Sequence, residues 1–391
     1  MEERKKRILM VDDEEDLQHI VRQNFRRKIR KGEMEFVFAH SGVHALEVLK
    51  ENSDFDAVFT DINMPEMDGL TLIDNITKDY PDLKTVVVSA YGDMDNVRTA
   101  MNNGAFDFIT KPIDFEDLEI TLQKTAGEVN KIREANINKE RLNSLQKEME
   151  IGRRIQNNFL PELIPLIPGW NFSAFSRPAK DVGGDFYDIF NIEGDNKIGL
   201  VIADVCGKGV GAALFMALIR SLIRAFTINS DKSDEAVLQI IYNTHNYIIE
   251  NHESSGMFAT MFLAFLDTKT GELSFVNAGH NPPYIKRADG SFEKLMPYGP
   301  ALGIFPGPEY KLQKVNLEKG DILVTYTDGV TEASDTEGKL FEESRLETGL
   351  NSEYDSLDRL VKNIVADIEE FCKGAEQADD ITMLLAGRKP D

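Results

Sequence analysis

Residues 57–69 read A-V-F-T-D-I-N-M-P-E-M-D-G, a short β-like run that ends in Asp61 and leads into a polar turn. Four similar apolar runs lie around it in the first third of the chain, at Ile8–Val11, Phe36–Ala39, Thr85–Ser89 and Phe106–Thr110. Stretches with helical periodicity separate the five runs. Strands that alternate with helices predict a parallel, doubly wound (βα)5 sheet, whose ligands bind at the carboxyl ends of the strands.

Polar side chains lie where these predicted strands end. Asp12 and Asp13 follow the first strand, Asp61 the third, Ser89 ends the fourth and Lys111 the fifth. Because strand ends converge in such a sheet, the positions predict one crevice with three carboxylates and a lysine. Carboxylates bind Mg²⁺, cations neutralise phosphoryl oxygens, and a carboxylate can be the nucleophile that forms an aspartyl phosphate. Helix capping would explain one such acid, but not matching positions on successive strands.

Residues 7–125 resemble the response-regulator receiver family in the motifs V-D-D-E, D-I-N-M-P-E-M-D-G, V-V-S-A and D-F-I-T-K-P. The resemblance implies that Asp61 is the phosphoacceptor, phosphorylated by a partner sensor histidine kinase. It also implies a Mg²⁺ site, with Asp13 and Asp61 as direct ligands and Asp12 as a ligand through water. The backbone carbonyl of Asn63 would complete this set.

The same resemblance assigns the remaining receiver positions. Ser89 would hydrogen-bond the phosphoryl group and Lys111 would pair with it. Phe108 would be the aromatic switch residue that repositions on phosphorylation. Pro112 would follow a cis peptide bond, which proline makes accessible. The receiver domain is assigned to residues 1–125.

The segment from Phe115 to Phe159 has a different composition, with hardly any glycine or proline and many charged residues. Apolar residues keep helical spacing on both sides of a polar middle, Glu134–Arg141, which breaks their register. Residues 126–160 are therefore predicted to be a helical linker. Two interpretations remain open, a short parallel coiled coil that makes a homodimer, which the pattern favours slightly, and a solvated spacer.

Composition limits the partners and the compartment. The chain has 391 residues and a formal net charge of −23, and its acidity disfavours nucleic acid, which attracts lysine and arginine clusters. No basic helix-turn-helix pattern supports a transcription factor. Neither a signal peptide nor an apolar run long enough to cross a membrane is recognised, so the expected location is cytoplasmic, without a membrane partner.

The carboxy-terminal part, residues 161–391, contains more β-like runs than helical patterns, which predicts antiparallel sheets covered by helices. Four acidic motifs adjoin these runs: V-G-G-D-F-Y-D at 182–188, I-A-D-V-C-G-K-G-V-G at 202–211, Y-T-D-G-V-T-E-A at 326–333 and A-D-D-I-T at 378–382. Carboxylates without a histidine or cysteine cluster favour hard ions such as Mg²⁺ or Mn²⁺. Two such ions can activate a water for attack on phosphorus.

The order of these motifs, with N-A-G-H-N-P-P at 277–283 between the second and third, resembles the PPM superfamily of phosphatase 2C-like protein phosphatases. The nearest branch is the bacterial one of sporulation and general-stress signalling, and the resemblance covers residues 151–388. It implies an α-β-β-α sandwich with two Mn²⁺ or Mg²⁺ ions between its sheets. The implied ligands and catalytic residues are Asp185, Asp204 with the carbonyl of Val205, Asp328, and one acid of the pair Asp379 and Asp380, of which the first is favoured.

The resemblance implies direct hydrolysis of phosphoserine or phosphothreonine on a protein, without a phosphoenzyme. The implied substrate is a phosphorylated anti-sigma-factor antagonist. Cys206 stands where the eukaryotic branch has a histidine, so the general acid stays open, as does the direction of control. For Lys208 two roles are open, a contribution to phosphate binding and, the one favoured, an exposed loop residue. His280 is expected to be a turn residue. A catalytically weak adaptor that binds a signalling partner is the alternative, but it would be expected to lose the metal carboxylates.

Overall fold

The computed structural model describes residues 4–90, 93–161, 163–192 and 196–390, and the chain forms two compact units, Met1–Leu145 and Gln146–Asp391. The strands of the first unit are β1 (Lys6–Val11), β2 (Met34–Ala39), β3 (Ala57–Asp61), β4 (Thr85–Ala90) and β5 (Asp107–Lys111). Its helices are α1 (Glu15–Asn24), α2 (Arg26–Arg30), α3 (Gly42–Glu51), α4 (Gly69–Asp79), α5 (Met94–Asn102) and the start of α6 (Phe115–Asn157).

The first sheet is parallel, with the strand order β2-β1-β3-β4-β5. Its strands are apolar on both faces because helices cover both. In β1, Ile8 and Met10 pack with α1 and α6, whereas Leu9 and Val11 pack with α3 and α4. The order reverses between β1 and β3, and a doubly wound sheet binds its ligand at such a switch point. The predicted (βα)5 fold is confirmed.

Helix α6 is continuous from Phe115 to Asn157, so the polar middle predicted to break the apolar register does not break the helix. Only its first turns are buried, through residues such as Leu118 and Leu122. Arg133 then ties the helix to the edge of its own unit. Its guanidinium donates to the Asp56 carboxylate at 2.5 Å and to the Phe55 carbonyl at 2.7 Å.

The second unit contains two five-stranded sheets with the orders β13-β10-β9-β8-β7 and β12-β11-β14-β15-β6. Its strands are β6 (Trp170–Arg177), β7 (Phe186–Ile192), β8 (Lys197–Val205), β9 (Ala259–Asp267), β10 (Glu272–Ala278), β11 (Tyr284–Lys286), β12 (Phe292–Lys294), β13 (Gln313–Asn316), β14 (Ile322–Tyr326) and β15 (Ile381–Arg388). Its helices are α7 (Val210–Ile228), α8 (Glu235–His252), α9 (Asp328–Thr331), α10 (Glu342–Leu350) and α11 (Leu357–Phe371), with a 3₁₀ turn at Glu253–Ser255.

Side-chain alternation along the strands builds this unit in four layers. In β8, Val201 and Ala203 pack under α7 and α8, whereas Leu200 and Ile202 pack against the second sheet. The second sheet is covered on its outer face by α10 and α11. This arrangement confirms the predicted α-β-β-α sandwich. By the same alternation, Asp204 belongs to the series that faces the space between the sheets.

Helix α7 corrects one sequence prediction, because by length and composition it could cross a membrane. Within this unit, however, Met216, Ile219 and Ile223 of α7 are buried in the core. A core helix of this kind meets the same criterion, so the feature is weak evidence for a membrane span.

A buried ion pair fixes α7 on the first sheet of its unit. Asp188, in β7, is 1% exposed and accepts two hydrogen bonds from Arg224, at 2.7 and 2.8 Å. Arg220 lies 3.1 Å from the same carboxylate. Breaking such a pair leaves charge that is buried without compensation.

We predict that Asp188→Ala lowers the free energy of unfolding of this unit by about 2–4 kcal/mol, because Arg220 and Arg224 lose their carboxylate. Urea unfolding followed by the fluorescence of Trp170 measures this unit alone, since it is the only tryptophan and lies in β6. Glu250→Ala, which removes an exposed acid from α8, is the control with the same change in net charge. Equal stability losses in the two variants would refute the stabilising role of this ion pair.

Candidate functional site

Three carboxylates converge at the carboxyl edge of the parallel sheet. Asp12, Asp13 and Asp61 can each place an oxygen within 4.8 Å of the others. The parallel pairing of Val11 with Thr60 brings Asp12 and Asp61 to the same level. The structure therefore brings together the three acids predicted to form one crevice.

Lys111 reaches the same crevice from β5. Its ammonium lies 2.6 Å from Asp61 and 2.9 Å from Asp12. Burial disfavours the charge of Lys111, but hydrogen bonds to the two carboxylates outweigh this effect and raise its pKa. Burial raises the pKa of Asp12, although hydrogen bonds from Glu14 and Lys111 oppose this shift. A crowded set of acids beside one cation suits a metal ion and a phosphoryl group.

The other receiver positions surround this cluster. Ser89 is buried, and its hydroxyl has no hydrogen-bond partner within the described chain, which leaves it available to a ligand. Asn63 is exposed just after β3, and the Phe108 ring is 37% exposed. The Lys111–Pro112 peptide bond is cis, as the resemblance implies.

A second acidic site lies between the antiparallel sheets of the other unit. Asp185 directly precedes β7, and Asp204 is the penultimate residue of β8. The antiparallel pairing of Phe186 with Ala203 brings these two acids opposite each other. From the other sheet, Asp328 begins α9 after β14, and Asp379 lies just before β15.

Burial and mutual repulsion both shift the pKa values of these acids. Burial and the Asp204 charge raise the pKa of Asp185 well above its usual range. Burial and the Asp328 charge raise the pKa of Asp204 to about 7. Burial and the Asp379 charge raise the pKa of Asp328. The four acids therefore form one electrostatic cluster with contributions from both sheets.

The donor set fits divalent cations. One carboxylate oxygen of Asp185 is buried and has no hydrogen-bond partner among the described residues. A buried carboxylate without a partner is costly, and its repulsion from neighbouring acids adds to the cost. Hard oxygen donors of this kind are the ligands of Mg²⁺ and Mn²⁺.

The adjacent acids Asp379 and Asp380 have different surroundings. The Asp380 carboxylate accepts backbone N–H bonds from Ala179 and Gly184 at 2.7 Å each, and from Asp185 at 3.3 Å. Asp380 thus holds the loop that carries Asp185. Asp379 is more exposed and acts electrostatically on Asp204 and Asp328.

Two glycines allow the acidic segments to approach each other. A Cβ at Gly184 would lie 2.6 Å from the carbonyl oxygen of Val205, and one at Gly329 would lie 2.0 Å from that of Asp380. Neither position accommodates a side chain without movement of the backbone. The glycines in V-G-G-D and T-D-G therefore serve close packing around the acids.

Two residues contribute to this site in ways that the sequence did not indicate. The Gln156 amide, near the end of α6, donates to the Gly183 carbonyl at 2.6 Å and accepts from the Gly183 N–H at 3.1 Å. It thereby holds the loop two residues before Asp185. Lys208 is an exposed loop residue, as expected, and it also forms a 2.9 Å ion pair with Asp379. Neither long-range contact has a local sequence signal.

His280 is buried rather than placed in the acidic site. Its ring nitrogen Nδ1 lies 2.8 Å from the Thr260 hydroxyl, and its backbone N–H donates to the Asn277 side chain at 2.9 Å. Burial lowers its pKa to about 3, so the ring is neutral at neutral pH. These contacts agree with a structural role beside the Asn281-Pro282 turn.

The two units match different protein families. Residues 8–123 match the response regulator receiver domain, and residues 194–389 match the family described as stage II sporulation protein E, SpoIIE. The second match spans half of the chain.

Individual relatives resemble this chain over part of its length. Protein IcfG of Synechocystis is 35% identical over 263 residues, which cover 62% of this chain and 41% of IcfG. Phosphoserine phosphatase RsbU of Bacillus subtilis is 30% identical over 247 residues, which cover 63% of this chain and 71% of RsbU. The solved SiaA-PP2C domain of Pseudomonas aeruginosa superposes with a TM-score of 0.55 at 23% identity, over 63% of this chain and 98% of that domain.

We predict that Asp380→Ala lowers the free energy of unfolding by about 2–3 kcal/mol in EDTA, because buried backbone N–H groups lose their acceptor. Asp379→Ala is expected to change it by less than about 1 kcal/mol, since its ion pair is partly exposed. Urea titration followed by Trp170 fluorescence compares the two variants. Similar losses for both would contradict the distinct roles of these acids.

Proposed function

Because the chain belongs to the SpoIIE family, as a PP2C-type phosphatase domain preceded by a response-regulator receiver domain, we propose that it is a phosphorylation-controlled protein phosphatase. Its reaction would be the hydrolysis of phosphoserine or phosphothreonine monoesters on a protein. The observation that carries this proposal is the cluster of four acids from both sheets of the sandwich, the donor type that hard cations prefer.

PP2C phosphatases depend on Mg²⁺ or Mn²⁺, and the acidic cluster supplies ligands of the required kind. Asp185, Asp204, Asp328 and Asp379 would hold two ions, together with the backbone carbonyl of Val205. When bound, such ions polarise the phosphate and lower the pKa of an attacking water. Asp380 would serve as a positioning residue, since its carboxylate already binds the loop before β7.

The protein fixes the positions of the acids, and its buried histidine is a poor proton donor. Asp204 lies in β8 and the other three acids lie within two residues of a strand end, so the paired strands restrict their spacing before any ligand binds. His280 is buried and neutral, which leaves it unsuited to transfer a proton to the leaving group. Protonation of the leaving oxygen would therefore rely on water within the site.

The receiver domain would be the input. A sensor histidine kinase would phosphorylate Asp61, with Mg²⁺ held by Asp12, Asp13, Asp61 and the carbonyl of Asn63. Lys111 and Ser89 would bind the phosphoryl oxygens, and Phe108 would follow them as the switch residue. The 2.6 Å contact between Lys111 and Asp61 supports this assignment, because it places a cation where the new charge develops.

Helix α6 offers a route from input to output. It starts in the receiver domain, runs without a break to Asn157, and carries Gln156 against the loop that bears Asp185. A rotation or shift of the helix would move Gly183 and with it Asp185. Exposed apolar residues on α6, among them Leu142 and Leu145, would pair with a second copy in a homodimer.

The proposed substrate is a phosphorylated anti-sigma-factor antagonist, and the proposed location is the cytoplasm. RsbU, a phosphoserine phosphatase by name, supports the phosphoserine part of this assignment. The assignment of the antagonist as substrate is based on the resemblance to the general-stress branch. The alternative function is a receiver-controlled adaptor without catalysis, which the hydrolysis of p-nitrophenyl phosphate tests.

We predict that Mn²⁺-dependent hydrolysis of p-nitrophenyl phosphate falls by about 100-fold or more in Asp328→Asn, because a metal ligand contributes several kcal/mol to catalysis. The measurement is the initial rate of the full chain with Mn²⁺ and with EDTA. Glu250→Gln, in an exposed part of α8, is the control and should retain the wild-type rate. Folded wild-type protein that is inactive on both this ester and a phosphorylated antagonist would favour the adaptor.

We predict that phosphorylation with acetyl phosphate and Mg²⁺ changes the phosphatase rate several-fold, and that Asp61→Asn abolishes both the label and the change. Gln156→Ala should be labelled normally but respond less, because its contact with Gly183 is the proposed link. Phosphate-affinity electrophoresis measures labelling alongside the rate. A wild-type response in Gln156→Ala would rule out this link.

A further inference from the structure

Lys208 lies at the edge of the acidic cluster, on the loop that follows β8. The loop has the sequence Gly207-Lys208-Gly209, and both glycines adopt positive φ angles, 86° and 80°. This backbone conformation favours glycine, and it turns the loop sharply after the strand that carries Asp204. The Lys208 side chain then reaches the segment before β15, which belongs to the other sheet.

The ammonium of Lys208 binds one end of that segment. It lies 2.9 Å from Asp379 Oδ2 and donates a hydrogen bond to the carbonyl of Ala378. The other carboxylate oxygen of Asp379 accepts the backbone N–H of Asp380 at 2.8 Å. Both oxygens of Asp379 are therefore engaged, in contrast to Asp185, where one oxygen has no hydrogen-bond partner in the described chain.

The charge of Lys208 also acts beyond this pair. Its hydrogen bond to Asp379 raises the pKa of Lys208, and the charges of Asp380 and Asp328 contribute in the same direction. Conversely, burial and the Asp379 charge raise the pKa of Asp328, and the charge of Lys208 opposes this shift. The ammonium is thus a counter-ion for the cluster as well as for one acid.

We propose that Lys208 is a built-in competitor of the metal ion at Asp379, so that this side of the phosphatase site binds its cation more weakly than the Asp185 side. A divalent cation at Asp379 must displace the ammonium or lie close to it, and either event costs electrostatic energy. The proposal rests on the metal site of the proposed function, but it concerns metal occupancy rather than turnover. Lys208 acts as a positioning residue, because it holds Asp379 in place while no cation is bound.

The first experiment measures how Mn²⁺ stabilises the phosphatase domain of the full chain. Urea unfolding followed by Trp170 fluorescence is repeated over a range of Mn²⁺ concentrations, because a ligand of the native state raises the unfolding midpoint by mass action. The tryptophan lies in the phosphatase domain, so the midpoint reports on this domain rather than on the receiver.

We predict that Lys208→Gln lowers the Mn²⁺ concentration for half-maximal stabilisation by about five- to tenfold, the effect of removing one nearby, partly solvated charge. Lys208→Arg keeps the charge and should stay within about twofold of wild type. In EDTA, Lys208→Gln should be less stable than wild type, and saturating Mn²⁺ should remove this difference. Lys208→Met, which keeps the apolar stem, carries the same expectation if the glutamine variant does not fold.

The matched control is Lys294→Gln, which breaks an ion pair of similar exposure away from the cluster, 2.7 Å from Glu343. It should change stability equally with and without Mn²⁺ and leave the half-maximal concentration unchanged. An unchanged or higher Mn²⁺ requirement in Lys208→Gln would overturn the proposal. If the shift occurs while p-nitrophenyl phosphate hydrolysis is absent from every form, Lys208 keeps its role and the proposed function fails.

Discussion

Repulsion among clustered, partly buried carboxylates is the constraint on which the phosphatase domain depends. Two acids arrive from each sheet of the sandwich, and burial raises the pKa of Asp185, Asp204 and Asp328. Such a cluster is unfavourable unless cations balance it. The surrounding residues hold the acids in place despite this cost, through close backbone packing and hydrogen bonds. Gly184 and Gly329 admit the neighbouring backbone, and Asp380 binds the loop before β7.

The receiver domain meets a similar constraint with a cation of its own. Asp12 and Asp61 share the ammonium of Lys111, which is held at the end of β5. In the phosphatase domain Lys208 stands beside Asp379 in a comparable way. Both sites therefore combine a cluster of acids with one lysine on a neighbouring segment. In the phosphatase domain, one buried oxygen of Asp185 has no hydrogen-bond partner among the described residues.

Helix α6 joins the two domains by covalent continuity. Its first turns belong to the receiver core, and Arg133 fixes it further along through Asp56. Its last turn holds the loop of Asp185 through Gln156. Each end of the helix therefore contacts, within its own unit, a segment that leads to an acid of one of the two sites. Coupling between the two sites needs such an element with two arrangements, each favoured by one state of the receiver.

The sequence by itself determined the alternation of strands and helices, the acids at the strand ends and both family resemblances, because these signals are local patterns of hydrophobicity and short motifs. It missed α10 and α11, which cover the second sheet. It also left the roles of Asp379 and Asp380 open, gave no sign of the ion pair between Lys208 and Asp379 and did not identify Gln156. Only the tertiary structure shows the contacts that distinguish these residues, since they join residues far apart in the chain. Gly183 lies 27 residues from Gln156, and Asp380 lies 196 residues from Gly184.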